Sequence, residues 1–416
     1  MKKQRNTPHL RFPEFHGDWE RKMLGEIYEY KVTNSFSRAD LNYDNGDVLN
    51  IHYGDIHTQF ATLFDIEKER VPYINSDINI GKIPDENYCK EGDLIFADAS
   101  EDYNDIGKSI EIFNLKNVKV LSGLHTILAR PEKKCMAVGY AGYLMKSPNI
   151  RLQIQKEAQG TKVLSISSGR LSKINIDFPT IPEQQKIASV FTTIDQKMTQ
   201  LRRKKTLLEQ YKKGVMQKLF SQQIRFKDDN GNEFPKWEKL HGNEVFGTVS
   251  NKNHNSDLPI LAITQEQGAV PRDMIDYYIT VSEQSIESYK VVEKGDFIIS
   301  LRSFQGGIEY SEYKGICSPA YIILRAIQNI DNRYFKYYFK TENYISELNR
   351  KLEGIRDGKM ISFKYFSDIV INVPSLPEQT KIANFLSSID NKIIHTQRQI
   401  EKAGVWKKGL MQQMFV

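Results

Sequence analysis

A segment of forty residues occurs twice in this chain and constrains its fold more than any other feature. Residues 181–220 and 376–415 align without a gap at a constant offset of 195, and sixteen positions are identical. Each copy opens with the same Pro-Glu-Gln triplet, at 182–184 and at 377–379. A duplicated segment of this length predicts an architecture built from two similar halves.

Both copies have the pattern of one long amphipathic helix. Thr180 with Glu183, and Ser375 with Glu378, predict a capping box with proline in the first turn. Apolar residues then recur at spacings of three, four or seven, which is typical of a coiled-coil seam. The predicted seam consists of Ile187, Phe191, Ile194, Met198, Leu201, Leu208, Ile382, Leu386, Ile389, Ile393, Ile400 and Leu410.

Such helices, about 55–60 Å long at 1.5 Å per residue, cannot bury an apolar stripe alone. We expect them to pack against each other, and the alternative is that each helix covers only its own domain. The region before each helix is repeated more loosely, since residues 91–96 match residues 294–299. These runs predict strands, and residues 150–158 and 344–352 predict short helices. The predicted domains are a first mixed α/β domain at 1–179, a first helix at 180–222, a second domain at 223–374 and a second helix at 375–416.

Composition excludes several classes of protein. With 416 residues, 40% hydrophobic and 26% charged, the chain is typical of a soluble protein with more than one domain. No apolar stretch approaches the roughly 20 residues that cross a bilayer, and no apolar segment follows the basic start as in a secretory signal. We therefore expect a cytoplasmic location. Cys89, Cys135 and Cys317 form no CxxC pair, and the net charge of +6 permits nucleic-acid binding.

Catalytic motifs are missing from the sequence. It has no glycine-rich phosphate loop, no HExxH and no Asn/Asp-Pro-Pro-aromatic motif, so we expect a non-catalytic chain with no catalytic residue. The acidic residues between 98 and 105 have no counterpart in the second half, which favours a solvated loop over a magnesium site. His52 and His57 lack a third ligand for zinc. We expect no bound metal.

Polar loops beside the strands are candidates for contacts with DNA bases. Arginine suits the guanine edge and glutamine the adenine edge, and glycine permits close approach of the backbone. A hydrated connection explains any single loop better, but the recurrence of such loops in both halves favours binding. The candidate DNA-binding residues are His52, Tyr53, Asp55, Ser100, Lys162, Ser168, Arg170, Gln265, Gln267, Arg302, Ser303, Gln305, Arg356 and Lys359.

The order of these elements resembles that of the specificity subunit of type I restriction-modification systems. The resemblance rests on the two Pro-Glu-Gln boxes and on the Gly-Asp pairs at 92–93 and 295–296 that begin a strand, and it extends over essentially the whole chain. It implies an α+β fold with an internal pseudo-two-fold repeat. Two mixed α/β target recognition domains would be separated by two long antiparallel coiled-coil helices that act as a spacer.

The resemblance also implies a function. Such a subunit recognises a bipartite, asymmetric DNA sequence, with one recognition domain for each half-site, and performs no catalysis. Its partners would be double-stranded DNA, two methyltransferase subunits docked on the helices, and restriction subunits that translocate DNA. S-adenosylmethionine, ATP and magnesium would be bound by those partners. The alternatives are a self-contained DNA nuclease or methyltransferase, and a structural coiled-coil protein.

Overall fold

Two long helices, Ile181–Phe220 and Leu376–Met414, dominate the computed structural model of the chain. The structure describes residues 6–132, 135–255, 257–275, 286–350 and 361–416. The chain divides into a first unit, residues 1–201 with 399–416, and a second unit, residues 202–398. Each unit therefore combines one mixed α/β domain with a part of both long helices.

The first turn of each long helix is held by an arginine from the start of its own half. Glu183 accepts hydrogen bonds from Nε and Nη2 of Arg11, both at 2.8 Å, and Glu378 accepts from the same atoms of Arg225 at 3.0 and 2.7 Å. Ser375 Oγ has no hydrogen-bond partner among the described residues. The predicted capping box at Ser375 is therefore wrong, because the glutamate pairs with an arginine that is distant in sequence.

The first unit is built on a five-stranded sheet and a four-stranded sheet. In spatial order the five strands are Tyr28–Lys31, Thr126–Pro131, Leu94–Ala97, Ser109–Asn114 and Leu63–Asp65, and only the last pair is parallel. The four strands are Val120–Ser122, Leu49–Ile51, Tyr73–Ile74 and Leu41–Asn42, and only the first pair is parallel. The two-stranded ladders pair Glu20–Met23 with Asn175–Phe178, and Ala99–Ser100 with Leu164–Ser165. The helices are Tyr53–Thr58, Ala141–Leu144, Pro148–Glu157 and Ser168–Leu171.

The core of the first unit joins the domain to both long helices. Phe191 is fully buried, with its ring 5.2 Å from that of Tyr143 in the domain and 5.7 Å from that of Phe415 at the end of the chain. Aromatic rings at these separations attract each other beyond the area they bury. The apolar stripe of the first helix is thus covered by its own domain and by the last turn of the second helix.

The second unit has a four-stranded antiparallel sheet. In spatial order its strands are Phe246–Val249, Ile322–Ala326, Phe297–Ile299 and Glu309–Tyr310. The ladders pair Glu238–His241 with Val370–Val373, Leu261–Thr264 with Gly268–Pro271, and Lys290–Val292 with Gly315–Cys317. The described helices are Gly242–Val245, Ser303–Gly306, Asn332–Tyr338, Glu342–Arg350 and Phe363–Ser367. Its core includes Ile382, Leu386 and Phe220, whose ring lies 5.5 Å from that of Tyr334.

The same ion pair occurs beside the five-stranded sheet of the first unit and the four-stranded sheet of the second unit. Its residues lie in the loosely repeated part of the sequence. Arg130 binds both carboxylate oxygens of Asp93, at 2.9 and 2.7 Å, and Arg325 binds those of Asp296 at 2.7 and 2.6 Å. The glycine before each aspartate has a positive φ, +90° at position 92 and +100° at position 295. Glycine adopts this conformation without steric cost, which explains the repeated Gly-Asp pair.

Candidate nucleic-acid interface

Three of the predicted loops meet in the first unit. The ladder between Ala99–Ser100 and Leu164–Ser165 joins the loop after residue 97 to the loop before residue 170, and the amide of Ile166 donates to the carbonyl of Asp98 at 2.9 Å. His57, in the helix Tyr53–Thr58, donates from Nε2 to the carbonyl of Ala99 at 2.9 Å. The structure therefore brings the segments around residues 53, 100 and 165 together.

The candidates around residue 53 have different environments. Asp55 is fully buried and accepts hydrogen bonds from Arg38 and Gln59. His52 is buried, and its Nδ1 accepts from the amide of Gly54 at 3.1 Å, which caps the helix. Burial and the charge of Arg38 lower the pKa of His52. Both side chains thus stabilise the loop from inside, and the half-buried Tyr53 lies nearer the surface.

The remaining candidates of the first unit lie on the neighbouring loops. Lys162 is exposed, whereas Ser168 is half-buried at the first position of a short helix. Ser100 Oγ exchanges hydrogen bonds with the backbone of Asp102 at 3.0 Å, so it shapes its own turn. Arg170 donates to the carbonyl and the carboxylate of Glu157 at 3.2 Å, and this pairing holds its guanidinium against the domain.

Sequence reasoning missed His125 at this place. Its ring is half-exposed, lies 5.3 Å from the ring of Tyr53, and bonds through Nδ1 to Asp98 Oδ1 at 3.1 Å. The residue has φ +54°, which is uncommon for any residue other than glycine. The only local signal was its place just before a strand, and that signal does not distinguish it from other residues at strand ends.

Two predicted loops also meet in the second unit. The turn of the hairpin that ends at Pro271 carries Gln265, whose side chain packs on Gly306: a Cβ atom on this glycine would lie 2.8 Å from Gln265 Cδ. Lys340 Nζ bridges the two loops through the carbonyl of Gly306 at 2.8 Å and that of Gln265 at 3.4 Å. Its pKa is lowered by burial, while Glu309, at 2.5 Å, opposes that shift.

Four of the candidates here are exposed to solvent and one is not. Gln265, Gln267, Arg302 and Gln305 are exposed, whereas Ser303 is buried. Ser303 Oγ accepts from the amide of Ser300 at 2.8 Å and so closes the turn that presents its neighbours.

Positive charge gathers beside these exposed side chains. Burial raises the pKa of Tyr321, and the positive charges of Arg272 and Arg302 act in the opposite direction. Lys290 donates to the carbonyl of Tyr321 at 2.7 Å. Three cations near one tyrosine make this part of the second unit suited to an anionic ligand. Arg356 and Lys359, the last two candidates, lie outside the described residues.

The predicted seam residues lie on the packed faces of the long helices. Ile187, Phe191, Ile194, Met198, Leu201, Ile382, Leu386 and Ile389 are buried, and Leu208, Ile393, Ile400 and Leu410 are half-buried. In the first unit Lys407 donates to Asp195, and in the second unit Lys212 pairs with Asp390. Within the first unit the two helix segments run antiparallel, since Phe191 meets Phe415 and Asp195, further along, meets the earlier Lys407.

Each long helix also exposes an aromatic residue at the same position of the repeat. Tyr211 in the second unit and Trp406 in the first unit differ by the repeat offset of 195, and their exposed fractions are 53% and 58%. Leu207 lies one turn before Tyr211, and Val405 adjoins Trp406; both are exposed. Large exposed aromatic residues of this kind are typical anchors of protein interfaces.

Other chemistry is limited in the part of the chain that the structure describes. No group of three or more His, Cys, Asp or Glu side chains there could hold a metal ion. Burial raises the pKa of the Cys317 thiol to about 12, so the thiol stays protonated. No helix within the described ranges has both the length and the apolar character needed to cross a membrane.

Comparison with known proteins gives consistent similarities. The model of a family described as type I restriction modification DNA specificity domain matches residues 16–210 and 237–403. A putative type I restriction enzyme MjaX specificity subunit from Methanocaldococcus jannaschii is 26% identical, over 98% of this chain and 95% of the relative. The MjaVIII specificity subunit from the same organism is 25% identical over 62% of this chain and 65% of the relative.

A solved structure shares the fold. The crystal structure of a type I restriction-modification system S subunit from M. genitalium matches with a TM-score of 0.57 and 14% identity, over 99% of both chains. The predicted arrangement of two mixed α/β domains with two long helices is therefore confirmed as the fold of this chain.

Proposed function

Because this chain belongs to the family of type I restriction modification DNA specificity domains, we propose that it is the sequence-specific DNA-recognition subunit of a type I restriction-modification complex. Each mixed α/β domain recognises one half of a bipartite, asymmetric DNA target. The chain itself is not an enzyme, and methylation and cleavage are performed by its partners. The relatives named as specificity subunits support this proposal.

The observation that carries the proposal is the meeting of separate polar loops in each unit. In the first unit, segments around residues 53, 100 and 165 meet, and in the second unit the turn at Gln265 meets the loop at Gly306. The exposed side chains there, such as Lys162 and Arg302, are of the types that bind phosphate oxygens and base edges. Loops on a rigid sheet scaffold are well suited to such recognition.

Neither alternative drawn from the sequence is supported. A structural coiled-coil protein would need the long helices but would have no use for two domains with matched recognition loops. A self-contained nuclease or methyltransferase would need a catalytic centre of its own. A DNA-recognition subunit of this family accounts for both the long helices and the paired domains, and it requires no catalytic centre in this chain.

The partners follow from the same proposal. Two methyltransferase subunits would dock on the long helices, one beside Tyr211 and one beside Trp406, because two equivalent surfaces suit two copies of one protein. Restriction subunits that translocate DNA would complete the complex. S-adenosylmethionine would be bound by the methyltransferases, and ATP and magnesium by the partner subunits. Since the complex must meet DNA, we propose that it acts in the cytoplasm.

Methylation mapping tests the function directly. Genomic methylation would be compared in cells with the gene, without it, and with the gene restored. We expect one bipartite motif to lose methylation in the deletion strain and to regain it on restoration. Methylation that is identical in all three strains would contradict the proposal, as would DNA methylation by the purified chain alone.

A further inference from the structure

We infer that His125 recognises the edge of a base in the half-site bound by the first unit, through a hydrogen bond to its Nε2 atom. This inference rests on the proposed function and deepens it, since it assigns a specificity-determining residue to one domain. The base edge is the exocyclic amino group of adenine or cytosine in the major groove. Four observations carry it: the backbone conformation, the rigidity of the loop, the fixed ring and its exposure.

The backbone at His125 is held in a conformation that most residues avoid. Its φ of +54° lies in the left-handed region, where glycine carries no steric cost and a side chain does. A residue kept there is found more often at functional sites than elsewhere, because surrounding structure must hold it in place. A glycine would form the same turn more easily, so the shape of the turn does not require histidine.

The loop around His125 is rigid. Thr126 Oγ1 donates to the carbonyl of Gly123 and bonds to Ser122 Oγ at 2.7 Å. The amide of Gly123 donates to the carbonyl of Ile51 at 2.9 Å, and a Cβ atom at Gly123 would lie 2.4 Å from Asn50 Nδ2. Close approach to the neighbouring strand thus fixes the loop and the direction in which it presents position 125.

Asp98 fixes the ring of His125. Its carboxylate accepts from Nδ1 at 3.1 Å, and its backbone amide donates to the carbonyl of His125 at 3.0 Å. The carbonyl of Asp98 in turn accepts from the amide of Ile166, which ties the pair to the converging loops. Tyr53 packs edge-on against the ring at 5.3 Å and 74°. The ring is thereby held in one orientation before any ligand binds.

This orientation determines which nitrogen is available. With Nδ1–H donating to Asp98, Nε2 is the acceptor of the neutral imidazole, and it makes no hydrogen bond to any residue that the structure describes. Half of the side chain is exposed at the place where the loops meet. In the major groove the amino groups of adenine N6 and cytosine N4 are the donors that match a single acceptor.

Two variants separate recognition from folding. His125→Gly suits a positive φ and removes the acceptor nitrogen, and the second variant is Asp98→Asn; each should still unfold in one cooperative thermal transition. Each complex, with its methyltransferase subunits, would select sequences from a library of randomised DNA duplexes. In His125→Gly we expect preference at one base pair of one half-site to fall by on the order of tenfold, while the other half-site is unchanged. Asp98→Asn should reduce the same preference by a smaller factor, because a neutral amide oxygen accepts from Nδ1 more weakly than a carboxylate and holds the ring less firmly.

The control is His16→Ala, a substitution of an exposed histidine in the same unit, which should leave every preference unchanged. Unchanged preferences in His125→Gly would overturn the inference. So would equal weakening of all sequences, which indicates a phosphate contact. A parent complex with no sequence preference would instead contradict the proposed function, so the two failures are distinguishable.

Discussion

Asp195 of the first long helix accepts a hydrogen bond from Lys407 of the second long helix at 2.5 Å. The hydroxyl of Tyr143 donates to the same carboxylate at 3.0 Å, and Lys407 lies 5.4 Å from the centre of the Tyr143 ring. One carboxylate thus ties the domain of the first unit to both helices. In the second unit Tyr337, Asp390 and Lys212 repeat this arrangement.

The charges around Asp195 and Asp390 differ, so we expect their substitutions to lower the stability of the fold by different amounts. Asp195 also faces Lys146, whose pKa is lowered to about 8 by burial and by the charges of Lys407 and Lys108. Lys340, which corresponds to Lys146 in the second unit, donates a hydrogen bond to Glu309, and the charge of that carboxylate balances its own. Asp195→Asn should therefore reduce the free energy of unfolding by about 2–3 kcal/mol, and the matched variant Asp390→Asn by about 1 kcal/mol. Urea unfolding of the full chain measures both, and equal losses would contradict this account.

The pH dependence of stability tests Lys146 itself. Because its pKa in the fold, about 8, is below the ordinary value of 10.5, folding releases its proton between these values, and stability rises with pH across that window. Below pH 8 the charged amine remains unfavourable. Lys146→Met should therefore be more stable than the parent at pH 7, by roughly 1 kcal/mol after allowance for solvent screening and the lost bond to Thr62. The advantage should shrink at pH 9.5.

The control for this measurement is Lys156→Met, which replaces an exposed lysine of the same unit. Its stability relative to the parent should not depend on pH between 7 and 9.5. A Lys146→Met variant that is less stable than the parent at pH 7 would show that the bond to Thr62 outweighs the unfavourable charge.

Local signals were sufficient to predict the two long helices and some of the strands. Apolar periodicity predicted the helices that the structure places at Ile181–Phe220 and Leu376–Met414. The run after Gly92 predicted a strand at 93–96, and the structure has it at Leu94–Ala97. Such elements depend on residues that are near each other in sequence, so one sequence is enough to find them.

The candidate site depended on contacts between distant residues, which one sequence does not contain. Asp55 looked like an exposed loop residue, but Arg38, seventeen positions earlier, pairs with it in the interior. Glu183 looked like a capping residue, but Arg11 binds it. His125 was missed because a positive φ in a residue other than glycine or asparagine has no pattern in sequence. The residues of the candidate site could therefore be assigned only from the structure, whereas the long helices could be predicted from the sequence.

Base recognition by the second unit can be tested at Arg302 and Gln305. Both are exposed, and Arg302 is one of the cations near Tyr321. If they contact base edges, substitution of either with alanine should cost about 1–3 kcal/mol and relax preference in one half-site only. Binding to duplexes that vary one base pair at a time measures this. Lys294→Ala, an exposed residue of the same unit, is the control, and uniform weakening of all duplexes would reduce both residues to phosphate contacts.

Docking of partners can be tested at the two equivalent aromatic positions. Trp406 and Tyr211 are more than half exposed, so alanine at either position should leave the fold intact while it removes an anchor of the proposed interface. We expect each single variant to bind one methyltransferase subunit at least about thirtyfold more weakly, since an interface anchor contributes about 2 kcal/mol or more. The double variant should bind neither.

The mass of the assembled complex, measured by light scattering at a fixed subunit concentration, distinguishes two, one and no bound partners. Gln200→Ala and Gln412→Ala, exposed polar positions of the same helices, should leave the mass unchanged. Because the two positions are related by the internal repeat, loss of both partners in one single variant would mean that the two partners do not bind independently at equivalent surfaces.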